Sequence, residues 1–118
     1  MRIKHIAIRV RDLEKSISFY EAITKMEVLQ RKKEAGAELA FMGYSGGGTE
    51  LELICIPGDK TFEGRGMFIC FETDRIDEMH TLAQEGGYNP SPVQDPGDKT
   101  RYFYVYDPDG VSVQLRSF

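Results

Sequence analysis

Apolar and polar residues alternate in short runs along most of the chain, and twice the alternation gives way to helical spacing. Ile3, Ile6, Ile8 and Val10 form an apolar run interrupted by His5, Arg9 and Arg11, which predicts a first strand. Asp12 then stands as an N-cap before Leu13, Ile17, Tyr20 and Ile23, spaced for a helix that leaves Glu14, Lys15 and Glu21 outside. Residues 27–34 and 37–43 read as a hairpin turning around Gly36, and residues 49–56 as a fourth strand ended by Pro57-Gly58-Asp59. The order then recurs. Residues 67–71 predict a strand, and Asp74 is expected to cap a helix carrying Ile76, Met79, Leu82 and Ala83 that stops at Gly86-Gly87. Residues 88–99, rich in Pro, Gly and Asp, read as a loop or an irregular edge strand, and residues 101–106 and 111–118 as two closing strands.

The repetition is visible in the residues themselves. Asp107-Pro-Asp-Gly110 is a turn in which Pro presets φ, Asp side chains bond nearby backbone and Gly accepts positive φ. After it, Val111, Val113 and Leu115 alternate with Ser112, Gln114 and Arg116. An offset of 62 positions lays Ser45-Gly-Gly-Gly48 under the turn and residues 49–53 under the strand. Without a gap it also lays Phe41 under Phe103, Tyr44 under Tyr106, Gly48 under Gly110, Glu52 under Gln114 and Leu53 under Leu115. The expected fold is therefore α+β, two βαβββ modules (about residues 1–57 and 66–118) in one domain, with residues 57–65 as linker. Halves of that size are marginal alone, so each is expected to need the other or a partner chain. Two curved sheets facing a shared cavity would make His5, Glu52, Phe68 and Gln114 equivalent inward positions, with His5 and Glu52 converging.

Composition narrows the classes. A net charge of −4 argues against a nucleic-acid footprint, and no apolar run reaches the length that spans a bilayer. The start leads directly into a strand pattern without a signal-peptide core, and two cysteines make no disulfide framework, so a cytoplasmic setting is expected. Cys55 and Cys70 lie within apolar runs, as small core residues do.

The chemistry rests on few residues. His5 is polar within an apolar strand, and by itself reads either as a surface or hydrogen-bonded core histidine or as a metal ligand, for which a single histidine is weak evidence. Glu50 and Glu52 share one parity, opposite Leu51, Leu53 and Cys55, so Glu52 lines either water or a cavity. Gln114 poses the same choice with Ser112 and Arg116. A cavity lined by Glu, Gln and His suits a divalent cation such as Ni, Co, Zn, Mn or Fe. His80 reads as a surface residue of the second helix. Tyr102, Tyr104 and Tyr106 form one sheet face, from which Tyr102 or Tyr104 could stack a planar ligand. Ser45-Gly-Gly-Gly48 is no phosphate loop, since a strand and not a helix follows it. Arg65, Lys99 and Arg101 lie in or beside loops, where solvation competes with an anionic substrate.

The opening from His5 to Tyr20, Glu50-Leu-Glu-Leu53 and residues 107–115 together closely resemble the glyoxalase I, bleomycin-resistance and dioxygenase superfamily, the vicinal oxygen chelate proteins. For metal-dependent glyoxalase I-like members the resemblance implies four ligands, one at each equivalent position. They are His or Gln on the first strand, Glu on the fourth, His on the fifth and Glu on the last. This chain supplies His5 and Glu52 but carries Phe68 and Gln114 at the other two places, and Lys25 where a Gly commonly follows the first helix. Phe binds no metal, and Gln offers a neutral carbonyl that is no general base. Two functions follow from the resemblance. One is a metal-dependent lactoylglutathione-lyase-like enzyme acting on a thiol adduct of a 2-oxoaldehyde, with His5, Glu52 and Gln114 as ligands and Glu52 also as base. The other is a metal-free, bleomycin-resistance-like protein that binds a small hydrophobic or aromatic molecule. Extradiol dioxygenase and fosfomycin-transferase chemistries both want the histidine that Phe68 replaces. A homodimer is the assembly the resemblance implies.

Overall fold

The computed structural model describes residues 1–61 and 66–118, and the chain divides into two compact units, Met1–Glu63 and Gly64–Phe118. Part of the expected linker, Arg65 included, lies outside the described residues.

The first unit runs β1 (His5–Arg9), α1 (Leu13–Thr24), β2 (Glu27–Glu34), β3 (Ala37–Gly43) and β4 (Glu50–Cys55). Its sheet has the order β1-β4-β3-β2, with β1 parallel to β4 and the other pairs antiparallel. The Asp12 side chain accepts the Lys15 N–H at 3.1 Å, which starts α1 where the sequence places it. Leu13, Ile17, Tyr20 and Ile23 are buried, and so are Leu51 and Leu53 on β4, which α1 covers. Ser16, Phe19 and Thr24 are buried too, so α1 is enclosed over more of its circumference than one apolar stripe requires. The helix ends on Lys25 in the left-handed region at φ 59°. The β2–β3 hairpin turns through Ala35 and Gly36, both at positive φ, as a tight right-twisted hairpin demands. Ile3 is largely exposed and lies before β1, because pairing with β4 begins only at His5.

The second unit runs β5 (Phe68–Glu72), α2 (Ile76–Glu85), β6 (Tyr102–Tyr106) and β7 (Ser112–Arg116), in sheet order β5-β7-β6. Where the first unit has its long edge strand, this one has a segment that makes one isolated bridge to β6, Gln94 to Tyr102, and otherwise meets it through hydrogen bonds between Ser91 and Tyr104. Pro90, Pro92 and Pro96 withhold the N–H groups a regular ladder needs. Asp74 does not cap α2. The N-cap is Arg75, which makes no side-chain capping bond, and its N–H is held by the Thr73 hydroxyl at 3.1 Å. The C-terminal stop is as expected: Tyr88 N–H bonds the Ala83 carbonyl and Gly87 N–H that of Gln84, closing a Schellman turn with Gly87 at φ 79°.

The Asp107 turn is built as its sequence predicts. Asp107, 4% exposed, accepts the Asp109 and Val111 N–H groups on Oδ1 at 2.9 and 2.8 Å, and Gly110 takes φ 86°. The ungapped repeat fails one step before that turn. Residues 44–49 join β3 to β4, whereas the shorter stretch 107–111 joins β6 to β7, so the two hairpins differ in register by one position. Phe41 stands opposite Glu52, and Tyr104, not Phe103, stands opposite Gln114. Phe103 is fully buried on the other face. The cysteines depart from expectation as well. Cys55 is half-buried at a strand end, and Cys70 is exposed because its place opposite Gln114 turns it away from the α2 side. Both are free thiols.

Candidate functional site

In the first unit, strand alternation sends Leu51 and Leu53 into the core and turns Glu50 and Glu52 to the opposite face. The parallel register sets Ala7 beside Glu52 and His5 beside Glu50. His5 Nε2 and Glu52 Oε1 are thereby brought to 3.2 Å, with the Glu52 side chain only 12% exposed and that of His5 40%. The imidazole also meets the Phe41 ring edge-on at 5.6 Å. Glu50 pairs instead with Lys4 at 3.5 Å. The His5–Glu52 separation suits a hydrogen-bonded pair. It equally suits neighbouring ligands of one cation, which sit about 3.0–3.4 Å apart when each bond is about 2.1 Å.

In the second unit the corresponding register sets Phe68 opposite Ser112 and Cys70 opposite Gln114. Phe68 thus occupies the place of His5, and Gln114 that of Glu52. The ring pairing is repeated: Phe68 meets Tyr104 edge-on at 5.5 Å, as His5 meets Phe41. Gln114 is 4% exposed and its Nε2 donates to the Tyr104 hydroxyl at 3.0 Å. Neither side chain carries a charge. Phe68 has no donor atom, and Gln114 has a neutral carboxamide already engaged with a phenol. The residues present do not fit a four-ligand cation site, and among the described residues no three His, Cys, Asp or Glu side chains gather.

What the second unit offers is a groove of about 430 Å³ lined by Phe68, Asn89, Ser91, Tyr104, Tyr106 and Ser112. Phe68 and Tyr106 are 49% and 66% exposed. Tyr102 is withdrawn from it, stacked under the Arg116 guanidinium at 4.8 Å. His80 is not a surface residue. It is half-buried, edge-on to Phe103 at 5.0 Å, with Nε2 at 2.8 Å from the Ser91 carbonyl oxygen. Facing a carbonyl, that nitrogen must carry the proton. Arg101 is spoken for by Asp77, in a two-pronged pair at 2.8 and 2.9 Å that holds the Asp77 carboxyl below its usual range. Sequence reasoning reached Phe68 and Tyr104 but missed Asn89, Ser91, Tyr106 and Ser112. The one available signal was Pro90-Ser91-Pro92, in which a lone amide separates two residues without one.

A sequence model of the Glyoxalase/Bleomycin resistance protein/Dioxygenase superfamily matches residues 2–115. The chain is 33% identical over 125 residues to a probable lactoylglutathione lyase of Vibrio cholerae, covering 97% of this chain and 88% of that protein. Among solved structures, the trypanothione-dependent glyoxalase I of Leishmania major superposes with a TM-score of 0.83 at 26% identity, over 98% of this chain and 85% of that one. TnmS3, an antibiotic binding protein from a Streptomyces species, shares the fold at a TM-score of 0.79 and 22% identity, over 99% and 95% of the two chains.

Proposed function

The chain belongs to the Glyoxalase/Bleomycin resistance protein/Dioxygenase superfamily, and on that premise we propose that it binds a small organic molecule without the superfamily's metal-dependent isomerisation. The observation that carries this reading is the pair of second-unit positions. Where a cation needs an imidazole and a carboxylate, the chain has Phe68 packed on Tyr104 and Gln114 hydrogen-bonded to it. Moving a carbon-bound proton needs a base and a stabilised oxyanion, and Glu52 would have to be ligand and base at once. Elemental analysis before and after Ni or Zn loading, with His5→Ala as control, tests the proposal. No retained stoichiometric metal and no turnover of a 2-oxoaldehyde hemithioacetal is the expected result. Stoichiometric metal that His5→Ala loses, together with turnover, overturns it.

One observation favours a second reading, a lactoylglutathione-lyase-like enzyme. The His5–Glu52 pair keeps a spacing that two ligands of one cation would have, in a chain a third identical to a protein named as a probable lyase. In that reading His5, Glu52 and Gln114 would be the ligands. The same loading experiment separates the two. A cytoplasmic homodimer is part of both readings. It is supported by the exposed Met67 and Phe118 and by two free thiols, and sedimentation of the purified protein tests the assembly. Among the described residues no helix is long and apolar enough to cross a membrane.

A further inference from the structure

The segment between α2 and β6 is fastened to the second unit without entering its core, since none of residues 89–99 is buried. What holds it is a short set of hydrogen bonds. Ser91 N–H donates to the Tyr104 carbonyl at 2.9 Å and Gln94 N–H to the Tyr102 carbonyl at 2.7 Å. Tyr102 N–H returns to the Gln94 carbonyl at 3.1 Å, but Tyr104 N–H returns to the Ser91 hydroxyl at 2.9 Å. The segment thus advances three residues where β6 advances two, and a regular ladder cannot form across that mismatch. The Ser91 carbonyl is left over, and His80 Nε2, facing it from α2 at 2.8 Å, donates to it.

Within itself the segment is stiff. Pro90, Pro92 and Pro96 fix their own φ and restrict Asn89, Ser91 and Asp95 before them. Gln94 Nε2 also donates to the Pro92 carbonyl at 3.2 Å. At the two ends the backbone turns left-handed in matched pairs, Gly87 and Asn89 at φ 79° and 51°, Gly97 and Lys99 at 89° and 73°. A residue before proline favours extended backbone, and a lysine disfavours positive φ. Asn89 and Lys99 are therefore strained for as long as the segment lies on β6. A stiff middle, a left-handed pair at each end and fastening by a few hydrogen bonds make a hinged strap.

We infer that residues 90–96 open from β6 as one unit, turning at 87–89 and 97–99, with His80 as the latch. Ser91, which lines the groove, travels with the strap, and Asn89 turns at its hinge, so the groove has one movable wall. The residues of β6 divide accordingly. Ser117 N–H donates to the Arg101 carbonyl and Asp107 N–H to the Val111 carbonyl, and these bonds bracket the β6–β7 ladder. Phe103 and Val105 therefore turn their N–H groups to β7, while Tyr102 and Tyr104 turn theirs to the strap.

Native-state amide exchange of the purified protein, followed by NMR at low urea, tests the inference. Ser91, Gln94, Tyr102 and Tyr104 should share one opening, about tenfold or more favourable than the opening that frees Phe103 and Val105. His80→Leu should speed those four amides by about fivefold, the effect of one hydrogen bond, and His80→Gln, which keeps a donor, should restore them. A histidine that only stabilised the unit as a whole would speed Phe103 and Val105 by the same factor. Ser91→Ala deletes the hydroxyl that holds Tyr104 N–H, and should speed Gln94 and Tyr102 as much as Tyr104, an answer that stands even if His80→Leu fails to fold. Alternate residues of β6 exchanging alike, or a Ser91→Ala effect confined to Tyr104, overturns the strap. Exchange at the wild-type rate in a folded His80→Leu, or equal acceleration throughout β6, overturns the latch.

Discussion

Tyr104→Phe deletes one oxygen and leaves the ring that Phe68 packs against, so its effect isolates the hydrogen bond from Gln114. Gln114 is 4% exposed, and its Nε2 reaches the phenol at 3.0 Å. Without that acceptor a buried N–H loses its partner, at a cost of about 1–3 kcal/mol. The opposite truncation is asymmetric. In Gln114→Leu the half-buried Tyr104 hydroxyl can turn to water and an apolar side chain fills the space, so the loss should stay below about 1 kcal/mol. With both groups removed no unpaired polar atom is left, and the double variant should lie within about 1 kcal/mol of the parent. The cycle then yields a coupling of roughly 1–2 kcal/mol, read from urea midpoints at constant slope. In a thermal scan Tyr104→Phe should lower the midpoint by about 4 °C per kcal/mol for a chain of this length. A Tyr104→Phe cost indistinguishable from zero, or strictly additive single effects, would refute the account of Gln114 as a buried amide held by a phenol and not a solvated strand residue.

Three further outcomes are expected. Asp107→Ala removes the acceptor of two backbone N–H groups and should cost about 2–4 kcal/mol in urea unfolding, with Asp107→Asn intermediate because one oxygen survives. Lys25→Gly should stabilise by about 0.5–1 kcal/mol, since Lys25 is exposed and sits at φ 59°, where a Cβ is strained; an unchanged midpoint would show that the strain is relieved elsewhere. Although Cys70 is exposed, partial desolvation by its neighbours pushes its thiol above the usual value, with Arg116 opposing this and Glu72 adding to it. Iodoacetamide should therefore modify Cys70 with a pH midpoint above that of a free thiol, and Arg116→Gln should move it higher still, because less cation leaves less thiolate at a given pH.

The first unit was legible almost residue by residue, because its signals are local. Asp12 caps its helix through a bond within one turn, and α1 and the β2–β3 hairpin follow from helical spacing, alternation and the positive φ that Gly36 accepts. The Asp107 turn is legible for the same reason. So was the matching of Glu52 with Gln114 and of His5 with Phe68, because strands that flank similar turns keep their faces. Local signals also misled. Asp74 has the chemistry of a cap, but the chain enters α2 one residue later, with Thr73 holding the Arg75 amide.

Tertiary structure decided what depends on partners distant in sequence. A one-residue difference between two turns moves Tyr104 into the place the ungapped repeat gave to Phe103, and only strand pairing reveals it. His80 looks like any polar residue on a helix until Ser91 folds back with a carbonyl that has lost its ladder. Which side chains line the groove follows from where the proline-interrupted segment lies against β6, and periodicity carries no record of that. The order of elements in each half and the side chains at positions 5, 52, 68 and 114 were readable from the sequence, since those are properties of residue type and spacing. The pairing at His5 and Glu52, the burial of Gln114 under a phenol and the uncharged groove were set by register and by hydrogen bonds between elements, which exist only once the strands have met.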